Sequence, residues 1–181
     1  HYVSPILKAI PVEVERGLKV PLVYNTGGYD SVETLKLLDG VFDIYMPDFK
    51  YADGKVAEEY SQASDYPEMA KLAFKEMHRQ AGDLLLDERG IALKGLLVRH
   101  LVLPQGLAGT KKVMHFLAQE ISKNTYVNIM DQFYPCGKNS HNSPLGRRIT
   151  QEEFNEAVEA AKNEGITRLD KREKSRLIWH F

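Results

Sequence analysis

Three short apolar runs along the chain each lead directly into polar residues. The runs and the polar segments that follow them are 22–23 with 24–28, 44–46 with 47–50, and 96–98 with 99–100. Parallel strands that are buried on both faces have continuous apolar sequences, and α/β folds place ligand-binding groups at the C-terminal ends of such strands. The pattern therefore predicts an α/β protein with a small-molecule site, which is typical of an enzyme.

Strands and amphipathic helices are predicted to alternate along the whole chain. The predicted strands cover 19–24, 42–46, 96–103, 126–130 and 166–169, and a small hairpin pairs 84–86 with 91–93. Predicted helices run from 4 to about 16, from 30 to about 40, through 58–60, from 67 to about 80, from 110 to about 121, and from 151 to about 165. Alternating strands and helices favour parallel pairing with right-handed crossovers.

Helix starts are marked by residues that can bond free backbone N–H groups. Ser4 followed by Pro5 predicts the first start, and Thr110 is expected to cap a later helix. The pairs Asp30 with Glu33 and Thr150 with Glu153 have the spacing of a capping box.

No linker divides the chain, so residues 1–181 are predicted to form a single domain. The segment 131–149 is rich in Pro, Gly, Asn and Ser and is expected to be a long loop. Residues 170–181 form a basic C-terminal tail, and runs of this kind are usually solvated. Binding of an anion or a partner by the tail is the less favoured interpretation.

An open doubly wound sheet and a full or partial barrel are both compatible with this alternation. Polar residues follow several strands, and a barrel gathers residues from many strand ends, whereas an open sheet uses one switch point. No glycine-rich nucleotide-binding motif is present. A parallel (β/α) barrel is therefore the favoured fold.

Composition excludes several classes of function. The 24 basic and 25 acidic residues give a net charge of -1, so bulk charge does not attract nucleic acid or an anionic membrane. A lone cysteine rules out an internal disulfide framework, and no apolar run approaches the ~20 residues that span a bilayer. We expect a soluble, cytoplasmic protein. Because the chain opens with His1 and Tyr2 instead of Met, we also expect that it was cut from a longer sequence.

Asp48 and Lys50 are the leading candidate site residues. They lie two positions apart at a predicted strand end, so both side chains point the same way and could bind oppositely charged groups of one ligand. A structural salt bridge is the competing interpretation.

The turn 25–28 and the pair Arg99 and His100 give further candidates. Asn25 offers an amide, Thr26 a hydroxyl, and Gly27 and Gly28 close backbone approach, although an ordinary strand-to-helix turn would look similar. Adjacent residues of a strand face opposite sides, so at most one of Arg99 and His100 can face the site. We favour Arg99 and expect His100 to be structural.

The remaining candidate groups give weaker signals. His78 and His115 lie in predicted helices and are expected at the surface or between helices. One cysteine and scattered histidines do not have the spacing of a zinc site. Cys136 could be a reactive thiol, but a lone cysteine in a loop is more often incidental.

These motifs, taken in order, resemble the later strands of a known enzyme family. Residues 24–28, 48–50, 98–104 and 126–130, followed by Pro135 and Cys136, are similar to radical S-adenosylmethionine proteins related to pyruvate formate-lyase activating enzymes. The resemblance covers roughly residues 1 to 170. Each motif is short, and the specificity lies in their combined order.

The resemblance implies a fold, cofactors and an activity. Members have a partial (β/α)6 barrel with a [4Fe-4S] cluster held by a C-x3-C-x2-C loop. S-adenosylmethionine binds the cluster and is cleaved to a 5′-deoxyadenosyl radical that abstracts hydrogen. The partner would be a glycyl-radical enzyme, another protein substrate or a small molecule.

The resemblance also implies which residues contact the cofactor. Asn25, Thr26 and Gly27 would lie near its methionine or ribose portion, and Asp48 and Lys50 match an Asp-x-Lys that touches the cofactor. Arg99 and Met130 would line the far side of the cavity.

The chain departs from the family pattern in three ways. It has no cysteine triad, and Cys136 alone cannot hold an iron–sulfur cluster. It has no Gly-Gly-x-Pro segment, and Gln132 stands near the position where activating enzymes often have histidine. We therefore expect the C-terminal portion of such a barrel, without its first strand or two, and inactive on its own.

Two other classes of function stay open. In a metal-free barrel enzyme, Lys50 could form a Schiff base, but the neighbouring Asp48 favours the charged amine and argues against this role. Alternatively, a truncated barrel could act only as a binding module.

Overall fold

In the computed structural model, residues 3–135 and 143–170 are described, and they form helices packed against a mainly parallel sheet. The helices are α1 (Val3–Glu15), α2 (Val32–Leu37), α3 (Gly54–Ser61), α4 (Tyr66–Ala81), α5 (Thr110–Phe116) and α6 (Gln151–Asn163). The strands are β1 (Val23–Thr26), β2 (Ile44–Pro47), β3 (Leu85–Leu86), β4 (Ala92–Leu101) and β5 (Tyr126–Met130). The prediction of an α/β fold is confirmed.

The parallel strands are neighbours in the order in which they occur along the chain. β1 pairs with β2, β2 with β4, and β4 with β5, all in parallel. Leu169 then forms a parallel bridge to Val127 beyond β5. A doubly wound sheet reverses its strand order at a switch point, and the described strands have no such reversal.

Helices cover one face of this sheet. The strand residues in the hydrophobic core belong to one alternating set on neighbouring strands, and residues of α2, α4, α5 and α6 pack against them. The buried strand residues of this set are Tyr45, Leu96, Val98, His100, Val127 and Ile129. We call this side the helix face, and the opposite side the open face.

A polar network ties α2 and α4 to β2. Gln80 donates to the Leu35 carbonyl at 2.8 Å and to Glu76 at 2.7 Å, and the Tyr45 hydroxyl donates to the Gln80 amide oxygen. Hydrogen bonds from Arg79 lower the pKa of Glu76 to about 2, and burial raises the pKa of Tyr45 to about 12. The buried polar atoms of this network are therefore paired.

Several predicted boundaries are wrong by a few residues. The first strand starts at Val23, not residue 19, because Pro21 has no N–H to donate to a strand ladder. Ser31, not Asp30, caps α2, because the Asp30 carboxylate accepts hydrogen bonds from Tyr24 and Thr26. Gly109 caps α5, and the Thr110 hydroxyl contacts His100 instead.

The hairpin and the C-terminal elements are mostly as expected. β3 pairs antiparallel with the beginning of β4, so the second strand of the predicted hairpin is continuous with the long strand. Thr150 and Glu153 form the predicted capping box of α6. The predicted last strand is reduced to the bridge at Leu169. The predicted loop contains a 3-10 turn at Pro144–Gly146.

Three features lie wholly or partly outside the described residues. They are Cys136, residues 136–142 of the loop, and the basic tail from Lys171 onward. Within the described ranges, no helix is both long and apolar enough to cross a membrane.

Candidate functional site

The C-terminal ends of three adjacent strands bring Asp48, Arg99 and Asn128 into one row. Asp48 forms a parallel bridge with Arg99, and Arg99 is in register with Asn128 on β5. These residues alternate with the core-facing set, so their side chains lie on the open face. Met46 and Asn25, in register with each other, lie on the same face two residues earlier along β2 and β1.

A cavity of about 280 Å³ opens beside this row. Four of the seven predicted contact residues line it, namely Asp48, Lys50, Arg99 and Met130. The other lining residues are Tyr51, Leu101, Leu103, Gln132, Phe133 and Leu145. The charged lining residues contact one another, and Leu101 and Met130 are in register with each other two residues beyond Arg99 and Asn128. The cavity therefore has a charged end at Asp48 and Arg99 and an apolar end beyond the row.

The remaining three predicted residues are placed differently from one another. A β-carbon added to Gly27 would lie 3.7 Å from Lys50 Nζ, so this glycine adjoins the charged end. Asn25 shares the open face but lies outside the cavity lining. The Thr26 hydroxyl donates to Asp30 at 2.6 Å and accepts from the Gly28 N–H, so it shapes the turn after β1.

Asp48 holds the guanidinium of Arg99 in a fixed position. Arg99 Nε and Nη2 approach the same carboxylate oxygen, Oδ1, at 2.7 and 2.6 Å, and both side chains are largely shielded from solvent. Lys50 Nζ lies 3.9 Å from the other oxygen, Oδ2, and its side chain is 46% exposed. Arg99 is thus pre-oriented, whereas Lys50 is free to turn toward a ligand.

Asn128 carries a buried amide oxygen that lacks a partner. Among the residues that the structure describes, Oδ1 of Asn128 is the single buried side-chain nitrogen or oxygen atom without a hydrogen-bond partner. Leaving a buried acceptor unpaired costs about 1–3 kcal/mol. An acceptor without a protein partner beside Arg99 is available to a donor group of a ligand.

Tyr66 holds together the two loops that carry the charged end. Its buried hydroxyl accepts from the Lys50 N–H at 2.9 Å and lies 2.9 Å from the Gly27 carbonyl and 2.8 Å from the Asp48 carbonyl. Burial is the main cause that raises the pKa of Tyr66, so the hydroxyl keeps its single proton, which the two carbonyls share. No sequence pattern indicates this role, since all three partners are backbone groups at least 16 residues away along the chain.

Gly28 allows the same two loops to approach closely. Its φ is +78°, and a β-carbon there would lie 2.4 Å from the Asp48 carbonyl oxygen. Only glycine combines this backbone conformation with such a close contact. The predicted close backbone approach thus falls on Gly28.

His100 lies on the helix face, opposite Arg99. Its Nδ1 is 2.8 Å from the Phe49 carbonyl and its Nε2 is 2.9 Å from the Thr110 hydroxyl. A carbonyl only accepts, so Nδ1 carries the proton and Nε2 accepts from Thr110. Complete burial lowers the pKa of His100 to about 4, and the residue is structural, as predicted.

His78 and His115, which were predicted at the surface or between helices, each lie beside an acidic side chain. His78 is 3.0 Å from Asp83, and His115 is 3.0 Å from Glu164. In the part of the chain that the structure describes, no cluster of three potential metal ligands occurs.

Comparison with known proteins gives one relative. The uncharacterized protein MJ0674 of Methanocaldococcus jannaschii is 32% identical over 143 residues, which is 78% of this chain and 38% of the relative. The chain therefore spans well under half the length of that relative. No family model matches the chain. No solved structure matches it at a significant level.

The side chains around the cavity suit one of the two cofactors that the resemblance implies and not the other. S-adenosylmethionine carries a carboxylate, an ammonium and hydroxyl groups, and Lys50, Arg99 and Asp48 offer complementary donors and acceptors around one cavity. These residues fit that molecule. The iron–sulfur cluster does not fit, because the 181 residues contain a single cysteine and a cluster needs several thiolates.

Proposed function

We propose that this chain binds S-adenosylmethionine as part of an enzyme of the radical S-adenosylmethionine class. The observation that carries the proposal is the convergence of Asp48, Lys50, Arg99 and Met130 on one cavity. These residues come from three separate motifs that resemble that class. Their meeting at strand ends on a single face is the arrangement that a shared ligand requires.

We further propose that the sheet is part of an incomplete (β/α) barrel whose inner side is the open face. Parallel neighbours in chain order and helices on one face support this interpretation. In such a barrel, the row of Asp48, Arg99 and Asn128 would face the interior.

The residues of this chain would bind and orient the ligand. Lys50 would hold its carboxylate, Arg99 would donate to one of its hydroxyl oxygens, Asp48 would keep Arg99 in place, and Tyr66 would fix the distance between the two loops. The cluster does not fit these residues, so the proposal for this chain concerns S-adenosylmethionine binding alone. Cytoplasmic location and a glycyl-radical enzyme as partner remain part of the proposal for the whole protein.

The alternative Schiff-base role of Lys50 has less support. A nucleophilic lysine needs a site that disfavours its ammonium form, for example through burial. Lys50 is 46% exposed and its Nζ lies 3.9 Å from the Asp48 carboxylate, so the structure does not bury this amine. Borohydride trapping of a carbonyl compound on Lys50 would revive the alternative.

Calorimetric titration of S-adenosylmethionine into the purified chain tests the proposal. We expect saturable binding that weakens by about 1–3 kcal/mol in Asp48→Ala and in Lys50→Ala, the amount expected for hydrogen bonds to charged groups. Lys55→Ala is the matched control, because Lys55 is an exposed lysine at the start of α3 and does not line this cavity.

Equal affinities in the wild type and in both site variants would remove these residues from the site. Absence of any binding would leave a non-catalytic module that binds a partner as the better interpretation.

A further inference from the structure

We propose that the apolar end of the cavity binds a small carboxylic acid with a compact apolar body, which is the substrate of this site. Arg99 would hold the carboxylate of that acid. The role as substrate rests on the proposed function, whereas the binding site itself is argued from the cavity alone.

The charged lining residues favour an anion. Lys50 and Arg99 contribute two positive charges and Asp48 contributes one negative charge, so this set has a net charge of +1. Asp48 engages only Nε and Nη2 of Arg99. Within the described residues, Nη1 of Arg99 has no hydrogen-bond partner, so its two N–H groups are available to a carboxylate.

The other end of the cavity favours an apolar body of limited size. Its walls are the five apolar side chains of Leu101, Leu103, Met130, Phe133 and Leu145. The cavity has a volume of about 280 Å³ in all, so the part beside these five side chains holds a short chain or a single ring. An acid with a short branched or ring-containing chain suits both ends.

The size of the cavity favours a small molecule over a protein partner. Peptides are usually recognised along extended grooves or sheet edges. Here Phe133 and Leu145, which follow β5, form walls together with Leu101 and Leu103, and Leu145 is itself buried. A space of about 280 Å³ between these walls accommodates one chemical group more readily than an extended peptide.

Binding of 4-methylpentanoate to the ¹⁵N-labelled chain, followed by NMR, tests this inference. The uncharged 4-methylpentanamide has the same body and is the matched ligand. We expect the acid to bind at least 10-fold more tightly than the amide, with the largest shifts at the amides of Leu101 and Met130. Arg99→Gln should abolish the preference for the acid.

Arg89→Gln is the control variant, because Arg89 pairs with Asp87 before the start of β4, whereas the cavity lies at the C-terminal end of that strand. It should keep the preference for the acid. If Arg99→Gln does not fold, Leu145→Trp provides a second test, since a larger side chain in the apolar end should block both ligands.

Equal affinities for the acid and the amide, or shifts confined to residues outside the cavity, would overturn the inference. Tighter binding of the tripeptide Gly-Gly-Leu would favour a protein terminus instead and would also contradict it. Titration of S-adenosylmethionine into the same samples separates the two proposals: acid binding without cofactor binding would refute only the proposed function.

Discussion

The two faces of the sheet differ in how completely their polar groups are paired. On the helix face, both nitrogens of His100 have partners, and the Tyr66 hydroxyl makes three contacts with backbone groups. On the open face, Arg99 keeps one nitrogen unengaged and the buried Asn128 Oδ1 has no partner among the described residues. Polar groups on the helix face therefore stabilise the fold, whereas those on the open face are better explained by ligand binding.

The largest expected effect concerns acid stability and His100. Its pKa is about 4 in the folded chain and about 6.5 when unfolded, so between these values only the unfolded chain takes up the proton. The free energy of unfolding should therefore fall as the pH drops from about 6.5 to 4. With about 1.36 kcal/mol per pH unit, the loss from this group amounts to about 3 kcal/mol.

Urea unfolding of the wild type and of His100→Gln at several pH values measures this loss. The variant should lose the part of the acid sensitivity that His100 causes. His78→Gln is the control, since it removes a partly exposed histidine outside the core and should keep the acid sensitivity that His100 causes. A His100→Gln profile as steep as that of the wild type would refute the assignment.

Gly28→Ala should give the next largest effect. The added methyl group would combine a positive φ with a 2.4 Å contact to the Asp48 carbonyl oxygen. Gly90 has a similar φ of +79° but open space around its β-carbon position, so Gly90→Ala reports the backbone strain alone. We expect a loss of about 1 kcal/mol for Gly90→Ala and about 2–3 kcal/mol for Gly28→Ala in thermal or urea unfolding. An equal loss of unfolding free energy in Gly28→Ala and Gly90→Ala would mean that the two loops move apart without an energetic cost.

Tyr66→Phe tests whether a hydroxyl on the helix face also affects ligand binding on the open face. Deleting the hydroxyl leaves the Lys50 N–H and the Gly27 and Asp48 carbonyls without this partner, so stability should fall by about 1–2 kcal/mol. Because those groups carry the charged end, affinity for S-adenosylmethionine should fall as well.

The control for this variant is Tyr45→Phe, which also deletes a buried tyrosine hydroxyl on the helix face. It should lower stability by a similar amount but leave affinity for the ligand unchanged. An equal loss of affinity in the two variants would show that the Tyr66 hydroxyl affects ligand binding no more than the Tyr45 hydroxyl does.

Asn128→Leu should have a small effect of opposite sign. Replacing Asn128, whose buried Oδ1 has no partner among the described residues, by an apolar side chain of similar size removes the cost of that unpaired oxygen. We expect the free energy of unfolding to rise by about 1 kcal/mol. A loss of stability would show that the oxygen has a partner in solution, for example an ordered water molecule.

The sequence predicts the elements of this fold better than their ends. β5 has the predicted bounds, and the capping box of α6 is confirmed, because both depend on local patterns. The predicted start of β1 was wrong because Pro21 cannot donate to a strand ladder. The predicted cap of α2 was wrong because Tyr24 and Thr26 donate to the Asp30 carboxylate.

The site was predicted in part, and the reason for the omissions is physical. Asp48 and Arg99 could be found because strand alternation determines which way they point. Tyr66 and Asn128 could not be found, because one acts through distant backbone groups and the other is notable only for an absent partner. Neither property leaves a periodic pattern in the sequence.

Ligand affinity and stability measured together in Arg99→Gln and His100→Gln, adjacent residues on opposite faces, decide whether the open face binds a ligand. We expect Arg99→Gln to weaken S-adenosylmethionine binding about 10-fold or more and to lower the urea midpoint at pH 7 less than His100→Gln does, and we expect His100→Gln to keep the affinity. The reverse result, or equal effects of the two variants on both quantities, would contradict this expectation.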